Sequence, residues 1–190
     1  MLWEILGVKV TQSNQQFGYS RWILIAVVAG NILAGIIILV QSMPSKAVRK
    51  KQAAFLVGVE KRSPARIQRL VSENYTDRWE FNRDDIVETM LDAGSQFLVL
   101  VVRGEEVGFE QQDGVVTVTM DLTISGKPVG PAGQEVMRRI NQLNTPFVFT
   151  WKKENFLPTS WRLISIDNET LPDELYGYEP GSLRRAMRGE

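Results

Sequence analysis

Residues 107–125, VGFEQQDGVVTVTMDLTIS, show the period of the chain most clearly. Asp113-Gly114 is a dipeptide that accepts the positive φ angles of a tight two-residue hairpin turn. Beyond it, Val116, Val118, Met120, Leu122 and Ile124 alternate with Thr117, Thr119, Asp121 and Thr123. A period of two sends the first set to one face and the second to the other. One face is therefore expected in the core and the other in water, as in an antiparallel sheet. FLVLVV (97–102) is rich in β-branched residues and reads as strand before the turn. TPFVFTWKKE (145–154) and TSWRLISIDNE (159–169) read as a closing pair turned through NFLP (155–158). GQEVMRRINQL (133–143) reads as a short helix inserted between strands.

Upstream the period is helical. Pro44 fits the first turn of a new helix, and one is predicted from about Ser45 to Lys61, with Ala54, Phe55, Val57 and Val59 among its apolar positions. Ser63 and Pro64 give the cap and first position of a second helix, whose apolar face is Ile67, Leu70 and Val71. Asn82 caps a third, with Asp84 and Asp85 suited to its positive N-terminus and Ile86, Val87, Met90 and Leu91 facing inward. Helices followed by a meandering sheet give an α+β order. From Leu171 the chain carries Pro172, Gly177, Pro180 and Gly181 and reads as an irregular tail on the surface.

The 190 residues carry no net charge, and 44% are hydrophobic and 23% charged, which are globular values. No global basic field exists to attract nucleic acid. Cys and His are both absent. That removes disulfides, thiolate nucleophiles, Cys/His zinc sites and histidine acid–base chemistry. No metal or cofactor is expected.

One run, Trp22 to Met43, has no charge, and only Asn31 in Trp22–Val40 is strongly polar. A helix of roughly 20 apolar residues crosses the roughly 30 Å hydrocarbon core of a bilayer. Tyr19, Arg21 and Trp22 suit one interface. The basic cluster follows the run instead of preceding it, unlike a cleaved signal peptide. A single-pass transmembrane helix over 22–43 is predicted, with an N-terminal tail over 1–21. Within the tail, Leu2, Trp3, Ile5, Leu6 and Val8 suit a short interfacial helix. Lys9 and Arg21 stand before the run, against Lys46, Arg49, Lys50 and Lys51 after it. The imbalance favours a cytoplasmic C-terminal domain. The same four basic residues are placed to contact anionic headgroups of the bilayer. Ala26, Gly30 and Ala34 recur every fourth residue on one helix face, beside Asn31, a pattern that lets two such helices pair.

SENYTDRWEFNRDD (72–85), the strands after it, TPFVFTWKKE and SWRLISIDN together resemble the nuclear transport factor 2-like superfamily, also called the SnoaL-like or cone-fold group. Members often end in a strand reading W-[RK]-[LI]-x-x-[IV], which Trp161, Arg162, Leu163 and Ile166 fit. The resemblance covers about residues 46–170. It implies a cone-shaped domain over 44–170, with three helices packed on a curved antiparallel sheet, ahead of a tail over 171–190. It also implies a conical pocket, which Tyr75, Trp79, Phe81, Phe149, Trp151 and Trp161 are candidates to line, although such aromatics are more often plain core. Catalytic members combine an Asp base with Tyr or His. Only Tyr75 with Asp77, and Asp121 on the wet face, remain as candidates here, and no catalytic residue is assigned. Asn74 and Asn168 begin glycosylation sequons, which matter only in a secretory compartment.

The leading expectation is a membrane-anchored, non-catalytic binding or assembly domain. Its expected partners are the bilayer, a second copy of itself through the open sheet face, and an unknown protein or small apolar ligand. A membrane-tethered isomerase or dehydratase is the alternative of a different class. The order of tail, span and cone also resembles the bitopic scaffold subunits of type IV secretion systems, which gives a third reading as part of an envelope complex.

Overall fold

The computed structural model describes residues 23, 25–35, 44–155, 157, 159–173 and 177–189. They fall into two units, residues 1–42 and 43–190. In the first, 25–35 are helical, and Ile25, Val27, Val28, Ile32 and Leu33 are all exposed. Among the described residues no helix is long and apolar enough to cross a membrane. Much of the span predicted over 22–43 lies outside the described residues, as does the whole tail over 1–21.

The second unit begins with α1 (Pro44–Glu60), followed by α2 (Pro64–Gln68) and α3 (Arg83–Ser95). Asn82 starts α3 as its sequence suggests. The side chain accepts from the Asp84 and Asp85 N–H groups, and Asp85 accepts from the Asn82 N–H in return. The second helix is shorter than its apolar spacing implies. The Leu70 carbonyl accepts from the Leu163 N–H, and the Ser72 N–H donates to the Leu163 carbonyl, both at 2.9 Å. The backbone of 70–72 is thus engaged by the sheet instead of continuing a helix.

Strands β1 (Phe97–Gln112), β2 (Val115–Pro128), β3 (Phe147–Lys153) and β4 (Trp161–Asp167) form one antiparallel sheet in sequence order. At the β1–β2 turn Asp113 has φ 49° and Gly114 φ 77°. Both central residues are left-handed, as the favoured two-residue turn requires. Val116, Val118 and Met120 are buried and Leu122 and Ile124 half-buried, whereas Asp121 and Thr123 are exposed. The inner face packs with α1 and α3 around Phe55, Ile86, Leu91, Phe97 and Phe149.

β3 pairs with β2 only from Val115 to Met120. Beyond that point α4 (Gly130–Asn141) lies against β2. The Asn141 amide donates to the Ile124 carbonyl at 2.8 Å, and its oxygen accepts from the Ile124 N–H at 2.7 Å. The first turn of α4 also comes very close to the start of β1. A Cβ on Gly133 would stand 2.3 Å from the Gln96 carbonyl oxygen. Backbone cannot yield there as a side-chain tip would, so Gly133→Ala is expected to destabilise the domain by about 1–3 kcal/mol. Urea unfolding checks this.

The segment after Leu171 is not an irregular surface tail. Residues Ser182–Arg188 form α5, and the stretch is bonded to the body at several points. Trp79 Nε1–H donates to the Pro172 carbonyl at 2.9 Å, and Arg78 pairs with Asp173. The strongest anchor is Asp92 on α3, which is 0% exposed. Its carboxylate accepts from the Tyr178 hydroxyl (3.0 Å), the Leu183 and Arg184 N–H groups, and Arg184 Nε (2.9 Å). A buried carboxylate on a helix demands donors, and the C-terminal segment supplies them.

Candidate functional site: an apolar cavity inside the cone

A cavity of about 200 Å³ lies between the helices and the inner face of the sheet. Phe55 comes to it from α1, Thr89 and Ala93 from α3, Val136 and Ile140 from α4, and Leu100, Leu122, Phe149 and Ile166 from the four strands. Trp79 and Phe81 enter from the loop before α3. That loop is shaped by Asp77. One carboxylate oxygen accepts from the Trp79 and Phe81 N–H groups at 3.0 and 3.1 Å, and the other accepts from the Tyr75 hydroxyl at 2.8 Å. Glu80, between the two aromatics, adopts a left-handed φ of 60°.

The wall is almost wholly apolar; its polar side-chain groups are the Thr89 hydroxyl, which donates to the Asp85 carbonyl at 2.8 Å, and the Trp79 indole N–H, which donates to the Pro172 carbonyl. No carboxylate among the described residues lines it. Burial pushes the Asp77 carboxyl up, against the lowering effect of its three hydrogen bonds. Burial, and then the Asp77 charge, raises the Tyr75 hydroxyl. Both groups hold the loop and are not among the residues facing the cavity. Asp121 is exposed, directly across from Glu105.

Of the six aromatics predicted for a pocket, Trp79, Phe81 and Phe149 line this one. Tyr75, Trp151 and Trp161 do not. They are buried in the core, and Trp151 Nε1–H donates to the Gln52 side-chain oxygen at 2.9 Å. Half-buried Thr89, Ala93, Val136 and Ile140 escaped the sequence reading, because aromatic character was its only signal for a lining residue.

The basic cluster divides. Lys46 and Lys50 are exposed. Arg49 instead turns to β1, where Nε donates to Glu106 at 2.9 Å and the guanidinium lies 4.5 Å from the Phe109 ring centre. Burial lowers the Lys51 pKa, and the charges of Arg162 and Lys50 lower it further. Ala26, Gly30, Asn31 and Ala34 are exposed on the helical segment 25–35, and Asn31 Nδ2 donates to the Val27 carbonyl at 2.8 Å. Asn168 is buried, and its amide donates to the Thr145 and Pro146 carbonyls, so that sequon presents no accessible nitrogen.

No family model matches the chain, and no curated protein matches it. Solved structures do. A nuclear transport factor 2-like superfamily protein from Salmonella enterica serovar Typhimurium superposes with a TM-score of 0.50 at 13% identity, covering 67% of this chain and 91% of that one. A nuclear transport factor 2-like protein from Cytophaga hutchinsonii gives 0.46 at 10% identity, over 65% and 95%. Bd1075 of Bdellovibrio bacteriovorus gives 0.48 at 9% identity; the match covers 65% of this chain and only 39% of that longer one. The first of these likenesses supports a cone fold and nothing about activity.

Proposed function

We propose that the chain is a single-pass, membrane-anchored binding domain, without catalysis, whose cone cavity takes a small apolar ligand. The observation that carries this reading is the lining: almost wholly apolar, with its one hydroxyl and one indole N–H both already bonded elsewhere. An apolar cavity of roughly 150 Å³ stays dry and accepts a benzene-sized molecule, so about 200 Å³ suits a ligand of one substituted ring or a short branched chain. A tethered isomerase would need an acid or base in that wall, and the carboxylate of Asp77 is engaged outside it.

The anchor is supported by the segment 25–35. A helix that exposes Ile25, Val27, Val28, Ile32 and Leu33 around its circumference belongs in a protein core or a bilayer. The excess of Lys and Arg after the run favours a cytoplasmic cone domain.

The test is methyl NMR of Met90, a lining residue, in the full chain with toluene as probe. The Met90 signal is expected to shift saturably in the wild type. In Ala93→Leu, whose longer side chain fills the space, the shift should disappear. A wild-type signal that toluene leaves unmoved would refute the reading.

A further inference from the structure

A second concavity lies on the other side of β4, between the segment around α2 and the ends of β3 and β4. It is a groove of about 810 Å³. Its cations are Arg69, Arg83, Lys152, Lys153 and Arg162, against Glu73 and Glu154. The chain as a whole carries no net charge, so an excess of this size in one groove is a local concentration.

The two acids are already committed. Glu73 pairs with Arg83 at 3.4 Å. Glu154 accepts from the Ser72 hydroxyl at 2.7 Å and lies 3.9 Å from Arg162. Arg83 is further held by the Gln68 carbonyl at 2.8 Å. Among the described residues, no carboxylate comes within ion-pairing distance of the side chains of Arg69, Lys152 or Lys153. Lys152 stands directly across from Arg162 in the β3–β4 register, two like charges opposed on one sheet face. Such an arrangement costs stability unless something negative lies between them.

Lys51 lies within reach of the Arg162 charge. It is not a groove residue; burial lowers its pKa first, and the Arg162 charge lowers it further. Ser72, Asn74, Thr76 and Ser165 add neutral polar side chains to the same wall. Charged donors beside hydroxyls and an amide suit oxygen-rich anions, and they suit apolar molecules poorly.

We propose that this groove is a binding site for phosphate-bearing anions, gripped by Arg69, Lys152, Lys153 and Arg162. The proposal is independent of the apolar cavity, which lies on the opposite face of the sheet. The phosphates belong either to a soluble compound or to anionic lipid headgroups, and both sources present the same chemistry to the groove.

The experiment is lysine acetylation footprinting of the full chain in phosphatidylcholine nanodiscs, read by mass spectrometry. Exposed Lys127 on β2 serves as the reference outside the groove. One arm adds inorganic pyrophosphate; the other replaces part of the phosphatidylcholine with phosphatidylglycerol. Protection of Lys152 and Lys153 relative to Lys127 in the pyrophosphate arm supports a soluble ligand. The same protection only in the phosphatidylglycerol arm supports headgroups. In either case Arg69→Gln, a surface change outside both lysines, should weaken the protecting interaction about tenfold, as loss of a charged hydrogen bond does. Unchanged reactivity of both lysines in both arms would overturn the proposal. So would protection that Lys127 shares equally.

Discussion

Asp92→Ala is expected to cost the domain about 3 kcal/mol and to release its C-terminal segment. The carboxylate is fully buried and is the shared acceptor for Tyr178, for two backbone N–H groups at the start of α5, and for Arg184, which also pairs with Glu88. Removing it strands donors that were desolvated for its sake, the expensive way to break a buried polar cluster. Arg184 is partly exposed and can turn to water, which keeps the loss below the upper range for such pairs. Two measurements check the expectation. Urea unfolding should show the loss, and limited trypsin digestion under native conditions should cut after Arg184, Arg185 and Arg188 much faster than in the wild type. Unfolding without faster tail cleavage would mean that the C-terminal segment is held by its other contacts, such as Trp79 with Pro172.

The second large effect concerns Trp151 and Gln52. Both are buried, at 0% and 2% exposure, and the indole N–H donates to the amide oxygen. The other end of that amide, Gln52 Nε2, has no acceptor among the described residues. Trp151→Phe removes the one hydrogen-bond partner that the Gln52 side chain has among the described residues and leaves a gap beside it. A loss of about 2–4 kcal/mol is expected from the orphaned amide and the lost packing together. In that background Gln52→Leu should recover about 1 kcal/mol or more, because the unpaired polar group is then gone. The double-mutant cycle read by chemical denaturation decides it. Strict additivity of the two changes would mean that the hydrogen bond contributes nothing.

These two sites also show where the sequence is readable. The Asp113-Gly114 turn, the Asn82 cap and the alternation after Val115 are local, each signalled within a few residues, and the structure has all three. The sheet order follows from those strands being joined by short connections or one helix. Asp92, by contrast, looks like a solvated helix position in the sequence, and its partners lie about 90 residues away. Nothing near Tyr178 or Arg184 announces them. Trp151 reads as a pocket aromatic, and the residue that claims it is Gln52, on the first helix. Arg49 sits among lysines in the chain, yet Glu106 and Phe109 take it to the sheet. The α5 segment was obscured by the prolines and glycines before it, which mark where the chain bends and say nothing about where it docks. The cavity wall shows the same limit. Its aromatics can be guessed from their size, but Thr89 and Ala93 are indistinguishable from any other half-buried helix position until the sheet curves over them.

The Asn141 side chain, which stands where a fifth strand would pair with β2, bears on how this protein behaves at high concentration. A strand edge with free N–H and C=O groups is a template on which another chain can polymerise. Between Met120 and Pro128 the edge has lost its neighbour strand, and α4 and one amide occupy it instead. Replacing Asn141 with an aliphatic residue would cost only a pair of hydrogen bonds in the monomer, yet it would leave the Ile124 N–H and C=O without that partner on the stretch of β2 that β3 does not cover. Asn141→Leu is therefore expected to fibrillate more readily at high concentration, an effect that a thermal melt of the dilute protein would not reveal.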